Sequence, residues 1–183
     1  MDEALLAAFH ATDYRVCLDE AEIAPAHPVP DLWASTTPSH PAPAALAHPW
    51  ASATPAHPAP AALAHPWASW ECIRIGQRLP TALQALTAER PWGFITAWNP
   101  RAQPCAVELN LAAQHELLTA LREWPDATIR QGVGVGAGGW YEPGLFVIGP
   151  DIAMLDMLGR RHRQHAYVCG SGDQLAQLRW LHD

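Results

Sequence analysis

The chain contains no lysine: its eleven basic residues are all arginines. That absence removes the Schiff-base lysine, the phosphate-loop lysine and the ATP-binding lysine of kinases together. No basic stripe takes their place. Residues 1–23 hold six acids against Arg15, and from Glu71 onward acids and arginines nearly balance. A surface that tracks nucleic-acid phosphates is therefore not expected. Cysteine is scarce and scattered. Cys17, Cys72, Cys105 and Cys169 include no Cys-x-x-Cys pair, so a zinc knuckle or a redox pair has little support. They read as reduced, mostly buried thiols of a cytosolic protein. No apolar run approaches the ~20 residues that span a bilayer. The acidic start MDEALLAAF does not read as a signal peptide. The expectation is a cytoplasmic protein with no membrane or nucleic-acid partner, no cofactor and no metal site.

Charge is missing again where proline accumulates. Between Ala24 and Trp70 only Asp31 is charged, and eleven of the eighteen prolines fall between Pro25 and Pro66. Residues 33–49 and 50–66 are tandem copies that differ only at Thr36/Ala53 and Ser39/Ala56. Proline lacks the N–H that helix and ladder require and biases its predecessor toward extended angles. Two copies with one Leu and one Trp each are too few to bury one another as a solenoid. Residues 24–69 therefore read as a low-complexity insertion. Excising 33–66 joins Leu32 to Trp67 and leaves PDLWASWECIRIGQ, which runs smoothly into a strand. Each of the five histidines here precedes a proline, with neither the close spacing nor the held geometry of a metal site.

Outside the insertion the length suits one domain with a real core. Residues 2–11 read as a short helix with Leu5, Leu6 and Phe9 on one face. TDYRVCL and WECIRIGQ alternate as strands, expected to pair as a hairpin whose connection carries the insertion. A helix follows Pro80, and a buried strand, GFITAWNP, ends on the Asn-Pro turn signal. The longest helix runs from Val107 to Trp124, with Val107, Leu111, Leu118 and Leu121 at helical spacing. ATIRQGVGVG and GLFVIG are strands, Asp151 caps a further helix, and AYVCG and AQLRWL close the chain as strands. The order α-β-β-α-β-α-β-β-α-β-β predicts an α+β fold, a single domain with a mixed β-sheet of about six or seven strands and helices packed on it.

Several motifs invite chemistry. GVGVGAGG (132–139) places Gly at alternate positions and resembles a phosphate loop. No helix follows it, so a flexible hairpin or a strand in close backbone contact is the better reading. Ser171 in CGSGD does not fit the Gly-x-Ser-x-Gly elbow. His162 and His165 sit three apart near a helix end, where positive charge suits the dipole. TAWNP and WYEP are more suggestive, because polar groups at the ends of buried strands often line a cleft. Thr96, Trp98, Asn99 and Glu142 are expected to converge there, unless Asn99 and Glu142 merely satisfy backbone groups at turns.

TDYRV, IRIGQ, GFITAWNP, Asn110 at the opening of a helix, WYEPGLFVIGP and RRHRQHAYV occur in that order. Together they resemble the bacterial DUF3293 family, whose members have no assigned function. The resemblance covers essentially everything except residues 24–69, and FITAWNP is its most specific element. The chain departs from the family pattern at His162–Ala166, where Phe-x-Gln-Asn-Ala is usual, at Gly144 and at Ala102, where serines are usual. The resemblance supports the architecture and implies no activity.

Two functions remain open on the sequence. One is a small polar-ligand site, catalytic or not, in which Thr96, Trp98, Asn99, Asn110 and Gln164 bind and Glu142 is the best general-base candidate. The other is a non-catalytic protein-interaction module that uses Trp33, Trp50 and Trp67 of the insertion as aromatic anchors.

Overall fold

The structure is a computed structural model that describes residues 3–19, 69–137 and 140–181. The tandem repeat and the interaction module proposed on it lie outside the described residues. The described elements are α1 (Glu3–His10), β1 (Asp13–Cys17), β2 (Trp70–Ile73), α2 (Thr81–Thr87), β3 (Pro91–Ile95), α3 (Val107–Arg122), β4 (Thr128–Val135), β5 (Tyr141–Ile148), α4 (Ile152–Arg161), β6 (Ala166–Ser171) and β7 (Gln177–Trp180). The expected order of helices and strands is reproduced. Asp151 caps α4 as anticipated, its Oδ1 accepting the Met154 N–H at 2.9 Å.

The seven strands form one sheet in the order β2-β1-β4-β5-β3-β6-β7. Here the expectation of a mixed sheet is corrected: every neighbouring pair is antiparallel. The reason lies in the connections. Each helical crossover returns the chain to a strand of the same direction, but always past at least one strand lying between. Each short connection instead joins immediate neighbours, so strands of like direction never touch.

Side chains alternate across a strand, and the sheet buries both faces. On one face Ile95, Leu145, Val147, Tyr167 and Cys169 pack with Leu117, Leu118 and Leu121 of α3 and Leu155 and Leu158 of α4. On the other, Tyr14, Val16, Trp92, Phe94, Phe146 and Val168 pack with Leu83 of α2 and Phe9 of α1. This second face is concave, because the sheet curls until its edges meet. Gly76 N–H donates to Ala176 O, and Ala176 N–H to Gln77 O, both at 2.8 Å. The rings of Phe9 and Trp180 cross edge to face at 5.6 Å. Closure of this kind leaves little open edge for unwanted pairing.

Strand β3 stops at Ile95, short of the expected 93–100, and Pro143 supplies the cause. The Pro143 carbonyl points toward β3, where it accepts the Thr96 hydroxyl at 2.7 Å. The absent N–H of Pro143 faces the same way, so the ladder cannot continue past Ile95↔Leu145. The chain turns out of the sheet at Thr96.

Candidate functional site

A cavity of about 180 Å³ opens at the end of the sheet where β3 finishes and β5 begins. Its floor explains the alternating glycines. Gly132, Gly134 and Gly136 share one face of β4 and its continuation, and Gly132 stands opposite Gly144 of β5. A Cβ at Gly132 or Gly144 would lie 2.4 Å from the Phe94 ring, and one at Gly136 would lie 2.9 Å from the Trp140 ring. The bare strand face lets two aromatic rings lie directly on backbone. Of the readings offered for this stretch, the strand in close contact is the one observed. Tyr14 meets Phe94 edge to face at 5.2 Å, and Leu5 and Phe9 of α1 with Trp98 continue the wall.

The polar part is built by the turn after β3. Asn99 takes left-handed backbone angles, φ 47° and ψ 64°, a conformation that asparagine tolerates better than most residues. Arg101 (φ 56°) and Ala102 (φ 54°) are left-handed as well, a cluster of strained backbone of the kind found at functional sites. Hydrogen bonds hold the turn. Asn99 N–H donates to Asn110 Oδ1 at 2.9 Å, and Asn110 Nδ2 donates back to Asn99 Oδ1 at 2.9 Å. Cys105 N–H gives Asn99 Oδ1 a second donor at 3.1 Å. With its oxygen occupied twice, Asn99 has its NH₂ left for the cavity side, where its interaction with Glu142 acts to lower that carboxyl's pKa. Trp98 N–H donates to Thr96 Oγ1 at 3.0 Å, and Gln164 Nε2 donates to the Trp98 carbonyl at 3.0 Å.

Glu142 is the one acid among the described residues lining the cavity. The residue as a whole keeps some exposed surface, while its carboxyl group is enclosed. That enclosure pushes its pKa up to about 8, with the Asn99 hydrogen bond acting in the opposite direction. Tyr14 ionises well above its ordinary value, chiefly through burial, with the nearby Glu142 charge adding to the effect. Burial lifts Tyr141 to about 12.

Thr96, Trp98, Asn99, Glu142 and Gln164 thus all line one cavity. Asn110 does not. It lies behind Asn99, 1% exposed, in the first turn of α3. His162 ends α4 and is buried, its pKa lowered by that burial, whereas His165 reaches the cavity. Among the described residues no group of three or more His, Cys, Asp or Glu is placed to hold a metal ion. The sequence reading missed the apolar wall: Leu5 and Phe9 of α1, Tyr14, Phe94, Trp140 and Tyr141. The available signal was the clustering of aromatics at strand ends, at Tyr14 and at Trp140-Tyr141.

Residues 95–167 match the family model described as Protein of unknown function (DUF3293). The matched stretch contains Thr96, Trp98, Asn99, Asn110, Glu142 and Gln164. It leaves out α1 and β1, which supply Leu5, Phe9 and Tyr14 to the same cavity. No curated protein and no solved structure matches the chain.

Proposed function

We propose that this cavity binds a small ligand and that Glu142 meets the ligand as a proton-carrying group, held in place by Asn99 and, behind it, Asn110. One observation carries the reading: a single carboxyl, aligned by a saturated asparagine pair, inside an otherwise largely aromatic enclosure. Apolar walls with a few convergent polar groups are the usual make-up of a small-molecule site. A carboxyl titrating near 8 is present in both protonation states around neutral pH, which suits general acid or base chemistry on a bound molecule. Thr96 and Gln164 set the shape of the Thr96–Asn99 turn. The expected setting is a bacterial cytoplasm, supported by four free cysteines and by the family resemblance.

The test is a ligand screen that reads tryptophan fluorescence, since Trp98 and Trp140 both line the cavity, with thermal shift as a second readout. Hits are expected to lose most of their affinity in Glu142→Gln and in Asn99→Ala. An unchanged ligand profile in both variants would overturn the proposal.

A further inference from the structure

We infer that the ligand of this cavity is an organic cation, a protonated amine or alkylammonium group carried on a small apolar or single-ring body. The inference rests on the ligand-binding reading above and adds the class of molecule.

Charge narrows the choice. The carboxyl of Glu142 is the only carboxylate among the described lining residues, and none of those residues is an arginine. The chain has no lysine to add. The one basic side chain among the described lining residues is the His165 imidazole. A phosphate or carboxylate ligand would enter without the guanidinium fork or ammonium that such groups ordinarily require. A cation would find its counterion at Glu142.

The walls point the same way. Phe9, Tyr14, Phe94, Trp98, Trp140 and Tyr141 all contribute to the lining, and aromatic faces attract ammonium groups through the ring quadrupole, more strongly where water is excluded. The cavity measures about 180 Å³, while a dry cavity of ~150 Å³ accommodates one benzene ring. The body of the ligand is therefore a single ring or a short alkyl chain. Tyr14, Cys105, Tyr141, His165 and Tyr167 are the other titratable residues among the described lining. Burial holds Tyr14 and Tyr141 protonated well above neutral pH, so they bring no charge, while Tyr167 turns its ring to the opposite face of the sheet and its hydroxyl to Asp156.

A cation that pairs with Glu142 draws off the carboxyl proton. Affinity should therefore rise with pH up to about 8, where the free carboxyl titrates.

The experiment is isothermal titration of the full chain with a matched trio: 2-phenylethylamine, 2-phenylethanol and 3-phenylpropionate. At pH 7.5 the amine is expected to bind at least about tenfold more tightly than the alcohol, and the acid to bind most weakly. Amine affinity is expected to rise roughly tenfold from pH 6.5 to 7.5. That slope should persist in His165→Gln and vanish in Glu142→Gln. These wild-type comparisons need no variant to fold. If the alcohol or the acid binds as tightly as the amine, the cation inference fails and the ligand site stands. If none of the three binds, and Glu142→Gln leaves the outcome of the broader screen unchanged, both fail.

Discussion

Asn110 and Asn99 exchange two hydrogen bonds, each at 2.9 Å: Asn110 Nδ2 donates to Asn99 Oδ1, and Asn110 Oδ1 accepts the Asn99 backbone N–H. The exchange ties the first turn of α3 to a left-handed residue in the turn that follows β3. It also fixes which end of the Asn99 amide faces Glu142. A residue with no surface in the cavity thereby orients one that has.

Replacing Asn110 by Ala removes both bonds and leaves the half-buried Asn99 N–H without its partner. The expected loss is about 2 kcal/mol in urea unfolding. The Glu142 carboxyl should also titrate higher than in the parent, because the Asn99 hydrogen bond that opposes its rise is loosened. Carboxyl chemical shifts followed against pH measure this directly. A variant that is merely less stable, with Glu142 unchanged, would show that Asn110 holds the turn but does not orient Asn99.

Glu142 should leave a mark on stability as a function of pH. Its folded pKa of about 8 stands above the ordinary 4.5. Between those values the folded chain keeps a proton that the unfolded chain has released, so the contribution of Glu142 is full below pH 4.5 and falls as pH rises through 8. Glu142→Gln removes that decline. The variant should match the parent near pH 4.5 and exceed it by on the order of 3 kcal/mol at pH 8.5. Equal stability of the two at pH 8.5 would mean that the carboxyl is better solvated than its surroundings indicate.

The aromatic floor depends on missing side chains. A methyl group at Gly132 or Gly144 would enter the space of the Phe94 ring, which is buried and has little room to yield. Gly132→Ala and Gly144→Ala should each cost about 1–3 kcal/mol through overpacking. The double variant Gly132→Ala/Phe94→Leu should recover part of that loss, measured as a coupling energy in a double-mutant cycle. Full additivity would argue against the ring as the obstacle.

Residues 20–68 connect β1 to β2, whose pairing is extended one step beyond Cys17↔Trp70 by Leu18 N–H donating to Ser69 O at 2.8 Å. The hairpin is thus closed at its base by described residues. Deleting 33–66 shortens the connection about threefold, and loop closure alone changes stability by about 1 kcal/mol. A loss of several kcal/mol in the deletion would show that the repeat packs on the fold.

Local chemistry spoke clearly in the sequence. Leu118 and Leu121 marked the buried face of α3, Asp151 announced the start of α4, and the glycines at 132 and 134 signalled a strand in close contact. TAWNP and WYEP named four residues of one cavity, Thr96, Trp98, Asn99 and Glu142, because polar groups at strand ends often line a cleft. What stayed hidden depends on distant pairing. Nothing near Gly132 says that Phe94 lies on it, since that follows from the register between β3 and β5. The alternation of strand direction escaped notice because helical crossovers conceal the strands they pass. The role of α1 as a wall rests on Phe9 meeting Trp180, at opposite ends of the chain.

Asp156 provides a test away from the cavity. It is 7% exposed on α4 and is gripped by Arg179, Nε to Oδ1 and Nη2 to Oδ2, both at 2.7 Å. The Tyr167 hydroxyl donates to Oδ1 at 2.9 Å, so α4, β6 and β7 meet at one carboxylate. The Arg179 hydrogen bonds hold its pKa below the usual 3.8, with Tyr167 assisting and burial opposing. A depressed carboxylate adds stability above its ordinary pKa and loses it as pH falls through the lower folded value. Asp156→Asn keeps the shape but removes the charge, leaving Arg179 without its anion. The expected cost is roughly 1–3 kcal/mol at pH 7, narrowing as pH drops below about 4. Urea unfolding of parent and variant at pH 7, 4 and 2.5 measures the gap. A gap of constant size across that range would show that Asp156 contributes through packing rather than through its charge.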